Sequence, residues 1–206
     1  MSHIRDQKIV VVLTVLIGIC SLLGVHSVQA DSAKTSIEPL LDLVMMGGAE
    51  VPGSGSILVR TKEGVGATLH TTGLTPGHVY TLWFTVFNNP KRCATTPCSV
   101  PGDLMNPNVR GVVLSGTGQI AGDDGTVDLG AFRAVGDPSG KAEGPPATAE
   151  ALENARKAEI HLAVRAHGLA SGDPAVLQQQ LTTFNGGCPV LPDPNCVTVQ
   201  AAPHLP

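Results

Sequence analysis

The chain has 206 residues and a formal net charge of −4, from 13 Lys+Arg and 17 Asp+Glu. A mildly acidic chain without a basic run excludes nucleic acid and anionic membrane surfaces as partners, since both require clustered Lys and Arg. Charged residues make up only 15% against 42% hydrophobic, which excludes disorder; 24 Gly and 16 Pro without a Gly-x-y period exclude collagen and suit short strands joined by tight turns.

Arg5 and Lys8 precede an apolar run, Leu13 to Gly24, interrupted only by Thr14, Cys20 and Ser21, and the small-residue site Val28-Gln29-Ala30 follows. This is the pattern of a secretory signal peptide cleaved after Ala30. The organisation expected is a signal peptide at 1–30, an N-terminal extension at 31–55 and a β-sandwich domain at 56–206. Removing Arg5, Lys8 and Asp6 with the leader leaves a net charge of −5. The apolar run is shorter than the about 20 residues of a spanning helix. No stable membrane span is therefore expected after cleavage, and a retained leader acting as an anchor is the alternative. Ile19 before Cys20 is too bulky for a lipidation site.

Asp31 to Lys34 reads as a frayed terminus. Ile37 to Met46 predicts a short helix, interrupted at its start by Glu38-Pro39 and ended by Gly47-Gly48, and Pro52-Gly53-Ser54-Gly55 is a turn. Ile57 to Val59 and Val65 to Thr72 are strands flanking Lys62-Glu63-Gly64, with Val65, Ala67 and Leu69 on the buried face. After the turn Thr75-Pro76-Gly77, Val79 to Phe87 is apolar on both faces and predicts a central strand. Asn88 to Asn108 has no periodicity and reads as a long loop.

Val112 to Ala121 and Thr126 to Val135 flank Asp123-Asp124-Gly125, whose Asp-Gly pair predicts a hairpin. Gly136 to Ala147 is a Gly/Pro loop. Thr148 is placed to cap a helix through Lys157, with Glu153 four residues before Lys157. Glu159 to His167 alternates as a half-buried strand. Asp173-Pro174 opens a helix to about Leu181, Phe184 to Cys188 turns, and Cys196 to Ala201 is a last strand with Val197 and Val199 inward. About seven strands and two or three short helices give the fold class: mainly β, a single antiparallel Greek-key β-sandwich of immunoglobulin-like type.

Cys93, Cys98, Cys188 and Cys196 lie in the exported part, where they can pair. Four cysteines allow three pairings. Cys93–Cys98 and Cys188–Cys196 are both feasible as local loop-closing bridges and are favoured over a cross-link between the loops. The spacing of the two pairs does not match a structural zinc site.

Glu159, His161, Arg165 and His167 share one face of their strand, with Ile160, Leu162 and Val164 on the other. His161 and His167 are about 20 Å apart at 3.3 Å per residue and cannot bind one metal. Glu159 and His161 could chelate or form an acid–base pair if another strand supplied a third group, His70 or His78. Otherwise the face is a solvated one, with Glu159 and Arg165 paired to neighbours, or a polar ligand-binding face. No Gly-x-Ser-x-Gly elbow is present, and Gly116-x-Gly118 lacks a following phosphate-binding helix. Asn88-Asn89-Pro90 and the loop Thr183 to Cys188 could meet at one end of the sandwich as a binding edge. The candidate ligand-binding residues are Asn88, Asn89, Glu159, His161, Arg165, His167 and Asn185. No catalytic residue, cofactor or resident metal is assigned.

The runs Gly73-Leu74-Thr75-Pro76-Gly77-His78-Val79-Tyr80-Thr81-Leu82-Trp83, Phe87-Asn88-Asn89-Pro90, Ala158 to Gly168 and Thr183 to Cys188 resemble an uncharacterised family of secreted bacterial proteins, over about Ser56 to Ala201. The resemblance implies a bacterial setting and export, without an assigned activity. Gly48-Ala49-Glu50-Val51-Pro52 and Gly73 to Gly77 are similar to chordin-type β-sandwich repeats. The latter run also resembles the turn before the metal-binding strand of copper/zinc superoxide dismutase. This chain runs Val79-Tyr80-Thr81-Leu82-Trp83-Phe84 where that enzyme carries its histidines, so the copper site does not carry over. The function expected is a non-enzymatic binding or structural module of the bacterial envelope or exterior, taking an unknown protein or a small polar ligand. The alternative is a metal-binding protein or metal-dependent enzyme using Glu159 and His161 with His70.

Overall fold

Period-two alternation in the Val65 to Thr71 stretch builds the first of two sheets. In the computed structural model, which describes residues 32–43, 48–188, 193 and 195–206, Val65, Ala67 and Leu69 are buried while Thr68 and His70 face out. The expected leader, Asp31, and the end of the expected first helix at 44–47 lie outside the described residues. The strands are β1 (Lys34–Glu38), β2 (Leu41–Asp42), β3 (Gly55–Arg60), β4 (Gly64–Thr71), β5 (His78–Phe87), β6 (Gly111–Ile120), β7 (Val127–Ala134), β8 (Glu159–Leu169) and β9 (Thr198–His204), and the α-helix α1 spans Pro174–Thr182. They form a four-stranded sheet, β1-β3-β4-β7, and a five-stranded sheet, β2-β9-β8-β5-β6, antiparallel throughout. The described residues thus make a mainly β unit, within a compact body spanning 31–206.

One core lies between the sheets. Leu58, Val65, Leu69 and Leu129 from the first meet Leu82, Phe84, Ile160 and Leu162 from the second. Fully burying side chains such as Leu82 and Phe84 contributes about 2 kcal/mol each. β5 is buried on both faces, as its sequence predicts, and sits between β8 and β6.

Several elements depart from the sequence reading. Residues 37–43 do not form a helix. Pro39 has no N–H to donate and disfavours helical geometry at Glu38, so Ile37 pairs with Ile57 in the first sheet and Leu41 with Ala201 in the second. The segment 34–42 therefore supplies an edge strand to each sheet.

The turn at Asp123-Asp124-Gly125 exists, with Gly125 at a φ of 72°, but it is not a hairpin. It crosses between sheets, and β7 pairs with β4. Val112 and Leu114 of β6 and Val127 and Leu129 of β7 bury the same core better from opposite sides than side by side. The two strands are instead joined by side chains. Thr117 Oγ1 bonds both the carbonyl and the N–H of Gly130, the Asp128 N–H donates to Gln119 Oε1, and Arg133 donates to the Ser115 carbonyl and hydroxyl.

The helix expected at 148–157 is an irregular segment. Thr148 Oγ1 accepts from the Gly111 N–H instead of capping a helix, and Glu153 pairs with Arg110 rather than Lys157. Ala149, Ala151, Leu152, Ala155 and Ala158 are buried there without a helix, as part of the core between the sheets. β9 begins two residues later than expected and runs on to His204, burying Gln200, Ala202 and His204; Val197 and Val199 are only half-buried. The helix after Asp173 is present, its Asp173 carboxylate accepting from the Ala175 N–H. Among the described residues the other helical element is a 3-10 turn at Pro90–Arg92, and no helix is long and apolar enough to cross a membrane.

Candidate functional site: the covered face of the five-stranded sheet

With Ile160, Leu162 and Val164 committed to the core, alternation sends Glu159, His161, Ala163, Arg165 and His167 to the outer face of β8. Thr81, Trp83, Thr85 and Phe87 of β5 join them. The sequence suggested a half-buried strand and a solvated face; instead Glu159, Arg165 and His167 are only 2%, 7% and 2% exposed. Two loops distant in sequence cover the face; the first carries the disulfide Cys93–Cys98, and the second ends at Cys188, which is bonded to Cys196, in the local pairing.

The first loop is folded around the buried Asp103. Its carboxylate accepts from the Ser99 N–H, the Ala94 N–H and the Ser99 hydroxyl, and these bonds hold it below the usual carboxylate range. Cys98, Leu104 and Val109 then pack on Trp83, Phe87, Val113 and Ala163. Glu159 Oε1 accepts from the Cys98 N–H at 2.6 Å and from His161 Nε2 at 2.7 Å. The pair read from spacing is therefore real, but its third partner is the backbone of the loop.

The second loop is held from below. Phe184 sets its ring edge-on to Trp83 at 5.0 Å, and the Arg165 guanidinium lies 4.1 Å from the Phe184 ring centre. Arg165 Nε donates to the Phe184 carbonyl at 2.6 Å and Nη2 to Asn185 Oδ1 at 3.2 Å. Gly186 passes so close to the end of α1 that a Cβ there would strike the Gln179 carbonyl. Trp83 Nε1 donates to Thr81 Oγ1, whose hydroxyl donates to His167 Nε2, leaving Nδ1–H to donate to the Gly186 carbonyl at 2.9 Å. Burial pushes His167 down to about 4, a direction the neighbouring Arg165 charge reinforces, so the ring is neutral at physiological pH.

Between the loops remains a cleft of about 330 Å³. Its floor is Trp83, Thr85, Ala163 and Arg165; Val100, Pro101 and Leu104 form one wall, and Pro145, Pro146, Phe184 and Asn185 the other, with Thr198 at the rim. A larger concavity of about 650 Å³ lies on the outer face of the first sheet, but its ionisable groups, His70 and Asp128, form a pair exposed to water.

The sequence-derived candidates divide accordingly. Arg165 and Asn185 line the cleft. His167 supports the second loop, and Glu159 with His161 supports the first. Asn88 is occupied structurally, donating to the Arg110 and Ala151 carbonyls and accepting from the Glu153 N–H, while Asn89 donates to the Asn108 carbonyl. Among the described residues no hydrogen bond joins either asparagine to the loop from Thr183 to Cys188. His70 points outward from the first sheet and Glu159 and His161 outward from the second, with the core between them, so the three-residue metal site is not assembled. Among the described residues the one grouping of metal-ligand types is Cys93, Cys98 and Asp103, whose cysteines are tied up in their disulfide. Sequence reasoning named the loop that carries Phe184 but missed Thr85 and Pro145-Pro146 as cleft residues; for the latter, two prolines in a loop were the available signal. Comparison with family models, with curated proteins and with solved structures finds no match for this chain.

Proposed function

We propose that this chain is an exported, non-enzymatic binding module of the bacterial envelope or exterior, built on a Greek-key β-sandwich, and that its ligand occupies the cleft over the five-stranded sheet. The observation that carries the reading is that cleft: mostly apolar walls around one buried guanidinium, set on a sheet between two loops that each carry a disulfide cysteine. Ligand sites favour such concave apolar surfaces with few polar groups, and loops on a firm scaffold favour binding. Two disulfides support an oxidising destination, in keeping with the leader read at 1–30. The return of β7 to pair with β4, after β5 and β6 have been laid in the other sheet, supports Greek-key connection. The metal-dependent alternative has lost its third ligand, His70.

The test is a fragment screen by NMR on the disulfide-bonded protein. Hits should shift Trp83, Ala163 and Phe184 resonances, and Thr198→Phe, which fills the rim, should abolish them. Hits scattered over the surface, or indifferent to Thr198→Phe, would remove the cleft as the functional site.

A further inference from the structure

Arg165 has more hydrogen-bonding capacity than the protein uses. A guanidinium carries five N–H donors. Nε–H goes to the Phe184 carbonyl and one Nη2–H to Asn185 Oδ1. Among the described residues, both Nη1 protons and the second Nη2 proton have no protein acceptor, and the side chain, nine-tenths buried, lines the cleft. The free N–H groups lie at the end of the fork, where Nη1 and Nη2 together offer two parallel bonds. A planar carboxylate matches that geometry bidentately.

The charge also lacks a counter-ion. No carboxylate forms a salt bridge with Arg165 among the described residues. The nearest acid on its own strand face, Glu159, is six residues away, about 20 Å at 3.3 Å per residue, and already accepts from Cys98 and His161. From β5 and the second loop the facing groups are Thr81, Trp83, Phe184 and Asn185, all neutral, and His167 is neutral beside it. A withdrawn positive charge without an opposite one is costly, and an anion brought by a ligand offsets it. One uncompensated charge selects a monoanion; a dianion such as phosphate would leave a net negative charge among prolines. The cleft volume, near the lower end of the about 300–1,000 Å³ found for ligand sites, sets a small body.

Deepening the binding-module reading on which it rests, we propose that the cleft binds a small organic monocarboxylate, its carboxylate taken end-on by Arg165 and its apolar body laid against Pro101, Pro145 and Pro146. Asn185 and Phe184 act as positioning residues, since they hold the guanidinium by its other edge.

The experiment is a titration of the disulfide-bonded protein, followed by NMR, with benzoate, its neutral isostere benzamide, and inorganic phosphate. Benzoate should give saturable shifts at Ala163, at the Trp83 indole and at the Arg165 Nε–H. Benzamide and phosphate should bind at least tenfold more weakly. Arg165→Lys, which keeps the charge and loses the fork, should weaken benzoate at least tenfold while leaving the amide spectrum in place; should that variant fail to fold, the benzoate-to-benzamide ratio in the unaltered protein decides. Equal binding of benzamide, a preference for phosphate, full-strength benzoate binding by Arg165→Lys, or no saturable benzoate shift would each overturn the inference. The binding-module reading falls with it only if the fragment screen also leaves the cleft untouched.

Discussion

Arg60 and Arg165 are both withdrawn from water, one inside the core and one on the covered outer face, and their surroundings could hardly differ more. Arg60, fully buried at the end of β3, donates through Nη1 to the Ala155 and Ala158 carbonyls at 2.7 and 2.9 Å and through Nη2 to those of His204 and Leu205 at 3.0 and 3.3 Å. Burial lowers it to about 10, and the field of Glu159 opposes that shift. Only its Nε is left without a partner. Among the described residues Arg165 has two protein acceptors and no acid in its field, and it lines an open cleft. A guanidinium enclosed by carbonyls is a fastener, tying the β3 end to the irregular 149–158 segment and to the last residues of the chain. One whose leading edge is left unused is available to something else.

The largest way to break this contrast is substitution of each arginine by Met. Arg60→Met strands four carbonyls at a closed site and should cost about 3–5 kcal/mol of unfolding free energy. Arg165→Met loses two bonds beside a cleft that water can reach and should cost about 1 kcal/mol. Urea denaturation reads both, and equal losses would erase the distinction.

A second test uses the histidine beside each arginine. His204 sits between Ser36 and Ser56, and burial, followed by the charge of Arg60, pushes it down to about 4, as burial does His167. Because the folded values lie below the unfolded value of about 6.5, the unfolded chain binds more protons between pH 6.5 and 4. Stability should therefore be fully present above pH 6.5 and fall toward pH 4, by on the order of 3 kcal/mol for each ring. His204→Asn and His167→Asn should each flatten part of that slope. A profile that is level from pH 7 to 4 would contradict both burials.

The smallest expected effect lies at the joint between β6 and β7. Thr117→Val removes the hydroxyl that bonds both backbone groups of Gly130 and should cost about 1 kcal/mol, read as a lowered denaturation midpoint. A neutral result would mean that the shared core alone holds these strands together.

Where a stretch carries its own pattern, the sequence reading held. β4 and β5 show in their alternation which faces are covered, Asp173-Pro174 marks the start of α1, and Cys93–Cys98 and Cys188–Cys196 close their own loops. What failed depends on partners far along the chain. Nothing local to Asp123-Asp124-Gly125 says that β7 will cross to β4, and nothing in Ile37 to Asp42 says that both sheets have an edge waiting for it. Glu159, Arg165 and His167 look like a wet face from within β8, because the residues that dry it, from Cys98 to Leu104 and from Phe184 to Gly186, lie elsewhere. For the same reason the histidines drew attention before Arg165 did: pairing and lack of pairing are properties of the folded surroundings.

The joint between β6 and β7 has a consequence for solubility. A free strand margin invites another chain to add itself and start a fibre. Here the backbone of β6 is met by Gly140, Ala142 and Thr148 along one stretch and Thr117 and Gln119 reach across to β7 along the next, so neither strand presents a bare template there. On the opposite side of the molecule, β1 is five residues long with Lys34 and Glu38 at its ends, and β2 is two residues long. Among the described residues those short margins are the remaining sheet edges on that side.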